Sequence, residues 1–155
     1  MIILGVDPGT ATTGYGLIRK NRELKLIDYG CIKTTTDLTT AERLKKLHDQ
    51  LNVLIKKHKP NMMAVEDIFF FKNLKTAIKV SQARGVILLT AAKIKIPVFE
   101  YTPLQIKQAI TSYGRAEKIQ VQKMVKLLLD LKEIPKPDDA ADALAAAICC
   151  AHTIK

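Results

Sequence analysis

The chain begins with a short apolar run that ends in an acidic residue. Residues 2–6 read Ile-Ile-Leu-Gly-Val, Asp7 follows them, and Pro8-Gly9 then breaks the run. A continuous apolar segment of this length, bounded by turn residues, is typical of a strand that is buried on both faces. The opening residues therefore predict an inner strand of an α/β sheet, with Asp7 at its carboxyl end.

Acidic residues accompany two further apolar segments. Glu66 closes the run 62–65, and Asp139 and Asp142 lie near the start of an alanine-rich stretch. Two carboxylates about 4 Å apart cost roughly 4 kcal/mol at an effective dielectric near 20. A cation or proton uptake removes this cost, and oxygen ligands of this kind suit Mg²⁺ or Mn²⁺ rather than zinc. The four carboxylates are therefore a candidate divalent-metal site.

The remaining segments predict a single domain over residues 1–155. Strands are expected at 2–7, 13–20, 24–34, 62–66 and 97–101, the first three as an antiparallel meander. Helices are expected from a cap at Thr39 or Thr40 to the residues before Pro60, and at 74–94, 103–111, 117–131 and about 138–152. This order is that of an α/β fold with a ribonuclease-H-like mixed five-stranded sheet flanked by helices.

Parallel first and fourth strands would place Asp7 and Glu66 side by side, because ligands in open α/β sheets gather at the carboxyl ends of parallel strands. Asp139 and Asp142 are three residues apart and share a helix face near its N-terminus, where the helix dipole favours negative charge. Helical geometry alone allows Asp138 in place of Asp139, and we expect Asp138 to cap the helix or face solvent. Asp67 raises the same question beside Glu66, and strand alternation turns it away if the strand continues.

The charge balance favours a polyanionic partner. Lys and Arg number 25 against 15 Asp and Glu, a net charge of +10, so an acidic pocket would lie in a basic surface. One 20-residue stretch holds five basic residues with only Glu117 opposing them: Lys107, Arg115, Lys118, Lys123 and Lys126. If the partner is a nucleic acid, side chains of this kind would contact its phosphates rather than read its sequence.

Membrane and secretory classes are not favoured. The longest apolar stretch is shorter than the roughly 20 residues that span a bilayer, and the N-terminal residues do not have a signal peptide's basic start. The three cysteines have no metal-ligand spacing and predict reduced thiols. We expect a soluble, cytoplasmic protein without membrane contact.

Several segments, in this order, resemble the RuvC family of bacterial Holliday-junction resolvases. They are Gly5-Val6-Asp7-Pro8-Gly9-Thr10, Thr13-Gly14-Tyr15-Gly16, Glu66 with Phe69 and Lys72-Asn73, Gln82-Ala83-Arg84-Gly85-Val86, Pro97-Val98-Phe99-Glu100-Tyr101, Ala116-Glu117-Lys118 with Gln120-Val121-Gln122, and Asp139-Ala140-Ala141-Asp142-Ala143-Leu144-Ala145.

The resemblance implies a homodimeric endonuclease that resolves four-way DNA junctions by paired, metal-dependent cuts during recombination and repair. The family's four carboxylates fall on Asp7, Glu66, Asp139 and Asp142, its junction-contacting aromatic on Phe69, and its basic DNA contacts on Lys107 and Lys118. We expect two Mg²⁺ ions per site, with Mn²⁺ able to substitute, and a branch-migration complex as a further partner.

Two features have both a structural and a functional interpretation. Of the consecutive phenylalanines 69–71, at least one must pack inward; we favour DNA contact for Phe69 and leave Phe70 and Phe71 open. On the predicted helix 74–94, small residues recur every four positions, at Ala77, Ser81 and Gly85. This stripe fits close packing on the protein's own sheet as well as a second subunit, and the resemblance favours the dimer.

Two other function classes are considered. The segment 7–10 followed by a Gly-rich hairpin is also found in the phosphate loop of actin-like ATPases, but those proteins need two related lobes. A catalytically silent junction-binding module would gain from losing the acids near phosphate, so the intact carboxylate set argues against it.

Overall fold

The structure is a computed structural model that describes residues 1–67 and 74–154. The strands are β1 (Ile2–Asp7), β2 (Thr12–Lys20), β3 (Leu24–Lys33), β4 (Met62–Glu66) and β5 (Val98–Tyr101). The helices are α1 (Thr40–His58), α2 (Leu74–Lys93), α3 (Pro103–Thr111), α4 (Lys118–Leu128) and α5 (Asp138–Thr153). The predicted fold class is confirmed. The predicted helix 117–131 is too long: it ends at Leu128, and Asp130 beyond it takes left-handed backbone with φ 50°.

The five strands form one mixed sheet in the order β3-β2-β1-β4-β5. β1 pairs antiparallel with β2, as β2 does with β3, while β4 is parallel to both β1 and β5. Val6 of β1 lies opposite Val65 of β4. The residues that follow them, Asp7 and Glu66, therefore end adjacent parallel strands at the same edge of the sheet, as predicted.

Two hydrophobic cores cover the two faces of the sheet. Ile3 and Ala64 belong to the core under α3, α4 and α5, whereas Leu4 and Val65 belong to the core under α1 and α2. This alternation follows from the strand period of two, by which neighbouring side chains point to opposite faces. Asp7, four residues after Ile3, and Glu66, two after Ala64, thus share the face that α5 covers.

The alanine-rich helix α5 lies very close to the sheet. A Cβ atom added at Gly5 would overlap the carbonyl oxygen of Ala143, and one at Gly14 would overlap the carbonyl oxygen of Asp139. Only glycine allows the helix backbone to approach the strands in this way. The first turn of α5 is thereby pressed against the end of β1.

The two ends of α5 are held differently. Pro137 is the N-cap and makes no side-chain cap hydrogen bond, while its carbonyl oxygen accepts from the backbone N–H groups of Ala140 and Ala141. At the other end Lys20 of β2 donates from Nζ to the carbonyl oxygens of Ala151 at 2.6 Å and Ile154 at 2.9 Å. Within the described ranges, no helix has the length and apolarity to cross a bilayer.

Candidate active site

Asp7 and Glu66 lie in contact at the edge of the sheet. Burial, followed by the charges of Glu66, Asp142 and Asp139, raises the pKa of Asp7 from 3.8 to about 8, and the protonated Asp7 carboxyl donates a hydrogen bond to Glu66. Burial and the charge of Asp142 raise the pKa of Glu66 from 4.5 to about 7. Acids that keep protons near neutral pH show that this edge concentrates more negative charge than its surroundings stabilise.

Lys118, at the start of α4, provides a positive charge to this cluster. Its Nζ lies 2.8 Å from Oδ2 of Asp142 and 3.6 Å from Oδ2 of Asp138. Partial burial lowers the pKa of Lys118, but its hydrogen bonds and the charges of Asp142 and Asp138 raise that pKa overall. Burial still raises the pKa of Asp142 above its usual value, although Lys118 acts in the opposite direction.

A cavity of about 220 Å³ opens beside these groups. Its polar lining consists of two acids and two bases, Glu66, Asp142, Lys107 and Lys118. Its apolar lining is Pro103, Ile106, Val121 and Ala145. The charges of both lysines lower the pKa of Glu66, so each side chain acts on the acidic edge of the sheet. The cavity can therefore receive an anionic group next to its two lysines, beside acids whose negative charge a cation would offset.

The side chains of Asp138 and Asp139 have different environments, although the two residues are adjacent in the chain. Asp139 is among the charges that raise the pKa of Asp7, whereas Asp138 is not. The Asp138 side chain is 58% exposed and accepts a hydrogen bond from Nε2 of Gln122 at 3.1 Å. Asp138 was expected either to cap the helix or to face solvent. It faces solvent, and Pro137 is the N-cap. Its neighbour Asp139 points toward the sheet edge.

The donor set fits a divalent metal ion by its chemistry. All four acidic side chains offer hard oxygen atoms, and the cost of holding them together is the cost that a small dication removes. In the part of the chain that the structure describes, no three His, Cys, Asp or Glu side chains have the arrangement of an assembled metal centre. Oδ2 of Asp142 is paired with Lys118, so a metal bound at this oxygen would compete with the ion pair.

Of the other predicted contact residues, the structure places one at the cavity. Lys107 lines it from α3, while Arg115 is exposed in the connection from α3 to α4. Phe69, Phe70 and Phe71 lie outside the described residues. On α2, Ala77 and Ser81 are half-buried, and Gly85 is open to its surroundings.

Two features of α2 were missed by the sequence interpretation. Its outer face carries exposed apolar side chains, Leu74, Ile78 and Leu89, whose spacing of four and eleven residues was available as a signal. Arg84 makes ion pairs with Asp67 and Glu100 from two other segments. Nothing in the sequence around Arg84 indicates these partners, because they depend on how the strands are aligned.

Comparison with known proteins gives consistent matches over nearly the whole chain. The family model described as crossover junction endodeoxyribonuclease RuvC matches residues 3–150. The RuvC of Halothermothrix orenii is 57% identical over 150 residues, which cover 96% of this chain and 91% of that protein. The RuvC of Desulforamulus reducens is 59% identical over 153 residues, covering 98% and 94%.

Solved structures agree. Thermus thermophilus RuvC superposes with a TM-score of 0.91 at 35% identity, and the same protein in complex with Holliday junction substrate gives 0.90 at 32%. Each superposition covers 98% of this chain and 94% of the other. The yeast mitochondrial Holliday junction resolvase Ydc2 shares the fold at a TM-score of 0.64 and 19% identity.

Proposed function

Since this chain belongs to the RuvC family of crossover junction endodeoxyribonucleases, and is therefore a metal-using nuclease that resolves four-way DNA junctions, we propose that Asp7, Glu66, Asp139 and Asp142 form its catalytic centre. The single observation that carries this assignment is the pKa of Asp7, which the other three carboxylates all raise. Four acids from three separate segments act on one another at one sheet edge. Without a bound cation the mutual repulsion of these carboxylates is costly, which supports a role in which they bind one.

We propose Mg²⁺ as the ion, with Mn²⁺ able to replace it and two ions per site. Bound there, the metal would supply Lewis acidity for the attack of water on a phosphodiester and for the departure of the 3′ oxygen. Asp7 is the candidate for the shared ligand because it lies on the central strand. Glu66 would complete the shell from one side and Asp139 and Asp142 from the α5 side.

The basic residues would hold the DNA backbone against these acids. Lys107 and Lys118 line the cavity with Glu66 and Asp142, so a phosphate that they bind lies next to the proposed metal ligands. Arg115, exposed on the connection between the helices that bear the two lysines, would contact the backbone further out. Phe69 is proposed as the aromatic residue that contacts the junction.

We also propose a homodimer in which α2 meets its counterpart. The exposed apolar side chains of α2 and the open surface at Gly85 support a helix contact there. A two-fold axis would present two equivalent sites to a nearly symmetric junction, which accounts for paired cuts. A branch-migration complex is the further partner expected from the family.

A cleavage assay with Asp7→Asn tests the metal assignment. We expect this variant to lose cutting of a four-way junction in Mg²⁺ while it keeps or tightens junction binding, because one charge that repels phosphate is gone. Asp49→Asn is the matched control, since Asp49 is exposed on α1 and pairs with Lys45 at 2.6 Å. Retained cutting by Asp7→Asn would overturn the assignment.

A separate pair of variants tests whether Asp139 or Asp138 is the metal ligand. Asp139→Asn should abolish cutting, whereas Asp138→Asn should leave most of it, because Asp139 and not Asp138 is among the charges that raise the pKa of Asp7. The opposite result would assign the metal to Asp138.

The DNA contacts are tested by salt dependence. Alanine at Lys107 or Lys118 should weaken junction binding and reduce the slope of log affinity against log salt by about one for each lost phosphate contact. An unchanged slope would remove that lysine from the interface.

A further inference from the structure

We propose that Arg84 is a positioning residue that fixes the direction of Glu66 by holding the chain directly behind it. The inference rests on the proposed role of Glu66 as a metal ligand. Arg84 itself lies on the opposite face of the sheet from the four proposed metal ligands and does not line the cavity beside them. It acts through Asp67, the residue that follows Glu66.

The strand register explains how Arg84 reaches this point. Val65 and Glu100 lie opposite each other in the parallel pair of β4 and β5, and Val65 faces the core under α2. Side chains alternate along an extended chain, so Glu66 points to the α5 face and Asp67 returns to the α2 face. The backbone N–H of Asp67 donates to the carbonyl oxygen of Tyr101 at 2.8 Å, which continues the pairing beyond the end of β4.

Arg84 binds both acids that this register brings to its side. Its Nη2 lies 3.2 Å from Oδ1 of Asp67 and also pairs with Oε2 of Glu100. The Arg84 side chain is mostly buried, at 26% exposure, while the two acids are each about two-fifths exposed. Three segments, α2, β5 and the end of β4, are thus joined at one guanidinium group.

The energetic argument follows from burial and geometry. The Arg84 cation is partly withdrawn from water, and removal of either acid leaves its charge less well compensated. Its Nε is buried and makes no hydrogen bond within the described ranges, and its Nη2 pairs with both Asp67 and Glu100. A planar guanidinium can bind two carboxylates at once, whereas the point charge of a lysine cannot reproduce this bridge.

The consequence concerns the Glu66 carboxylate. Glu66 and Asp67 share one peptide unit, so anchoring Asp67 on the back of the sheet limits rotation of the backbone that aims Glu66 at the front. Loss of Arg84 should therefore loosen one proposed metal ligand without touching the lysines that bind DNA. Loss of a group bonded directly to a metal ligand typically changes metal affinity or activity by about 10–100-fold. Arg84 acts one residue further away, so the lower end of this range applies.

The test measures Mn²⁺ binding by calorimetry in the absence of DNA, next to junction affinity and cleavage. For Arg84→Gln we expect Mn²⁺ affinity to fall about tenfold or more. The metal concentration for half-maximal cleavage should rise in proportion, while junction affinity stays as in the wild type. Arg84→Lys should recover only part of the loss. Arg22→Gln, an exposed arginine in the turn after β2, is the matched control and should behave as the wild type.

Asp67→Asn and Glu100→Gln keep the question answerable if Arg84→Gln does not fold. Each should lower Mn²⁺ affinity by a smaller factor. Wild-type Mn²⁺ affinity and metal dependence in the folded Arg84→Gln, or in both partner variants, would overturn the proposal and leave Arg84 as a structural ion pair. Glu66→Gln separates this outcome from failure of the proposed function: if Glu66→Gln also binds Mn²⁺ and cuts as the wild type does, the metal assignment itself fails.

Discussion

Substituting Asp7 with asparagine should stabilise the metal-free protein at neutral and alkaline pH. The fold holds Asp7 against three other acids and raises its pKa from 3.8 to about 8. Between these two values the native state keeps a proton that the unfolded chain releases. The native state binds more protons, so the free energy of unfolding falls as pH rises through this window and levels off above about pH 8.

The size of the effect follows from the shift. From the unfolded-state pKa of 3.8 up to pH 7, the native state keeps the proton over about three pH units. Each unit lowers the free energy of unfolding by about 1.4 kcal/mol, so the loss of stability at pH 7 is at most about 4 kcal/mol. The shift of Glu66 is not added, because the two acids titrate as a pair. We expect Asp7→Asn to gain about 2–4 kcal/mol, which raises Tm by about 5–15 °C for a chain of this length.

Thermal unfolding followed by circular dichroism in EDTA, from pH 5 to pH 8, measures this difference. The gap in Tm between Asp7→Asn and the wild type should be small at pH 5 and widest at pH 8. Mg²⁺ should narrow it by stabilising the wild type. Asp49→Asn should show no comparable rise in Tm, because Asp49 is exposed and its pKa is lowered by Lys45. If Asp7→Asn unfolds at or below the wild-type temperature at pH 8, the acids do not repel one another and the reasoning is refuted.

Three further outcomes are expected. Lys118→Met should bind Mn²⁺ more tightly than the wild type when DNA is absent, because Lys118 competes for Asp142 at 2.8 Å; calorimetry that shows equal affinity would contradict this. Gly14→Ala should lower both Tm and Mn²⁺ affinity, because the new methyl group would overlap the carbonyl of Asp139 and displace the first turn of α5; a crystal structure with α5 unmoved would argue otherwise. Ile78→Glu should convert a dimer to a monomer in sedimentation analysis, since it adds charge to an exposed apolar position on α2; a dimer that persists would move the interface elsewhere.

The topology of the sheet was predictable because the sequence patterns of the individual strands and helices agree with the order in which the fold arranges them. Apolar runs marked the inner strands, and Pro and Gly residues separated them. The order of strands and helices indicated a ribonuclease-H-like sheet, and parallel first and fourth strands were expected from that fold. Asp7 and Glu66 could be placed together on this basis, because each ends an apolar run.

What escaped prediction depends on contacts between distant segments. The pairing of Arg84 with Asp67 and Glu100 requires the register of β4 against β5, which no local pattern encodes. The end of α4 was placed three residues late, because the left-handed backbone of Asp130 is not an obvious preference of the apolar sequence around it. The stripe at Ala77, Ser81 and Gly85 had two interpretations, and burial differs along it, with Gly85 open and the other two half-buried.

The attachment of Lys20 to the far end of α5 affects how this protein tolerates change. The helix α5 has 16 residues and is about 24 Å long, so a shift of one end along the axis moves the other end as well. Lys20 holds the carbonyl oxygens at the C-terminal end of α5, and Gly5 and Gly14 admit its backbone to the strands nearer the other end. A substitution at Lys20 can therefore affect Asp139 and Asp142, since any lengthwise shift of the helix moves both acids together past the strand ends.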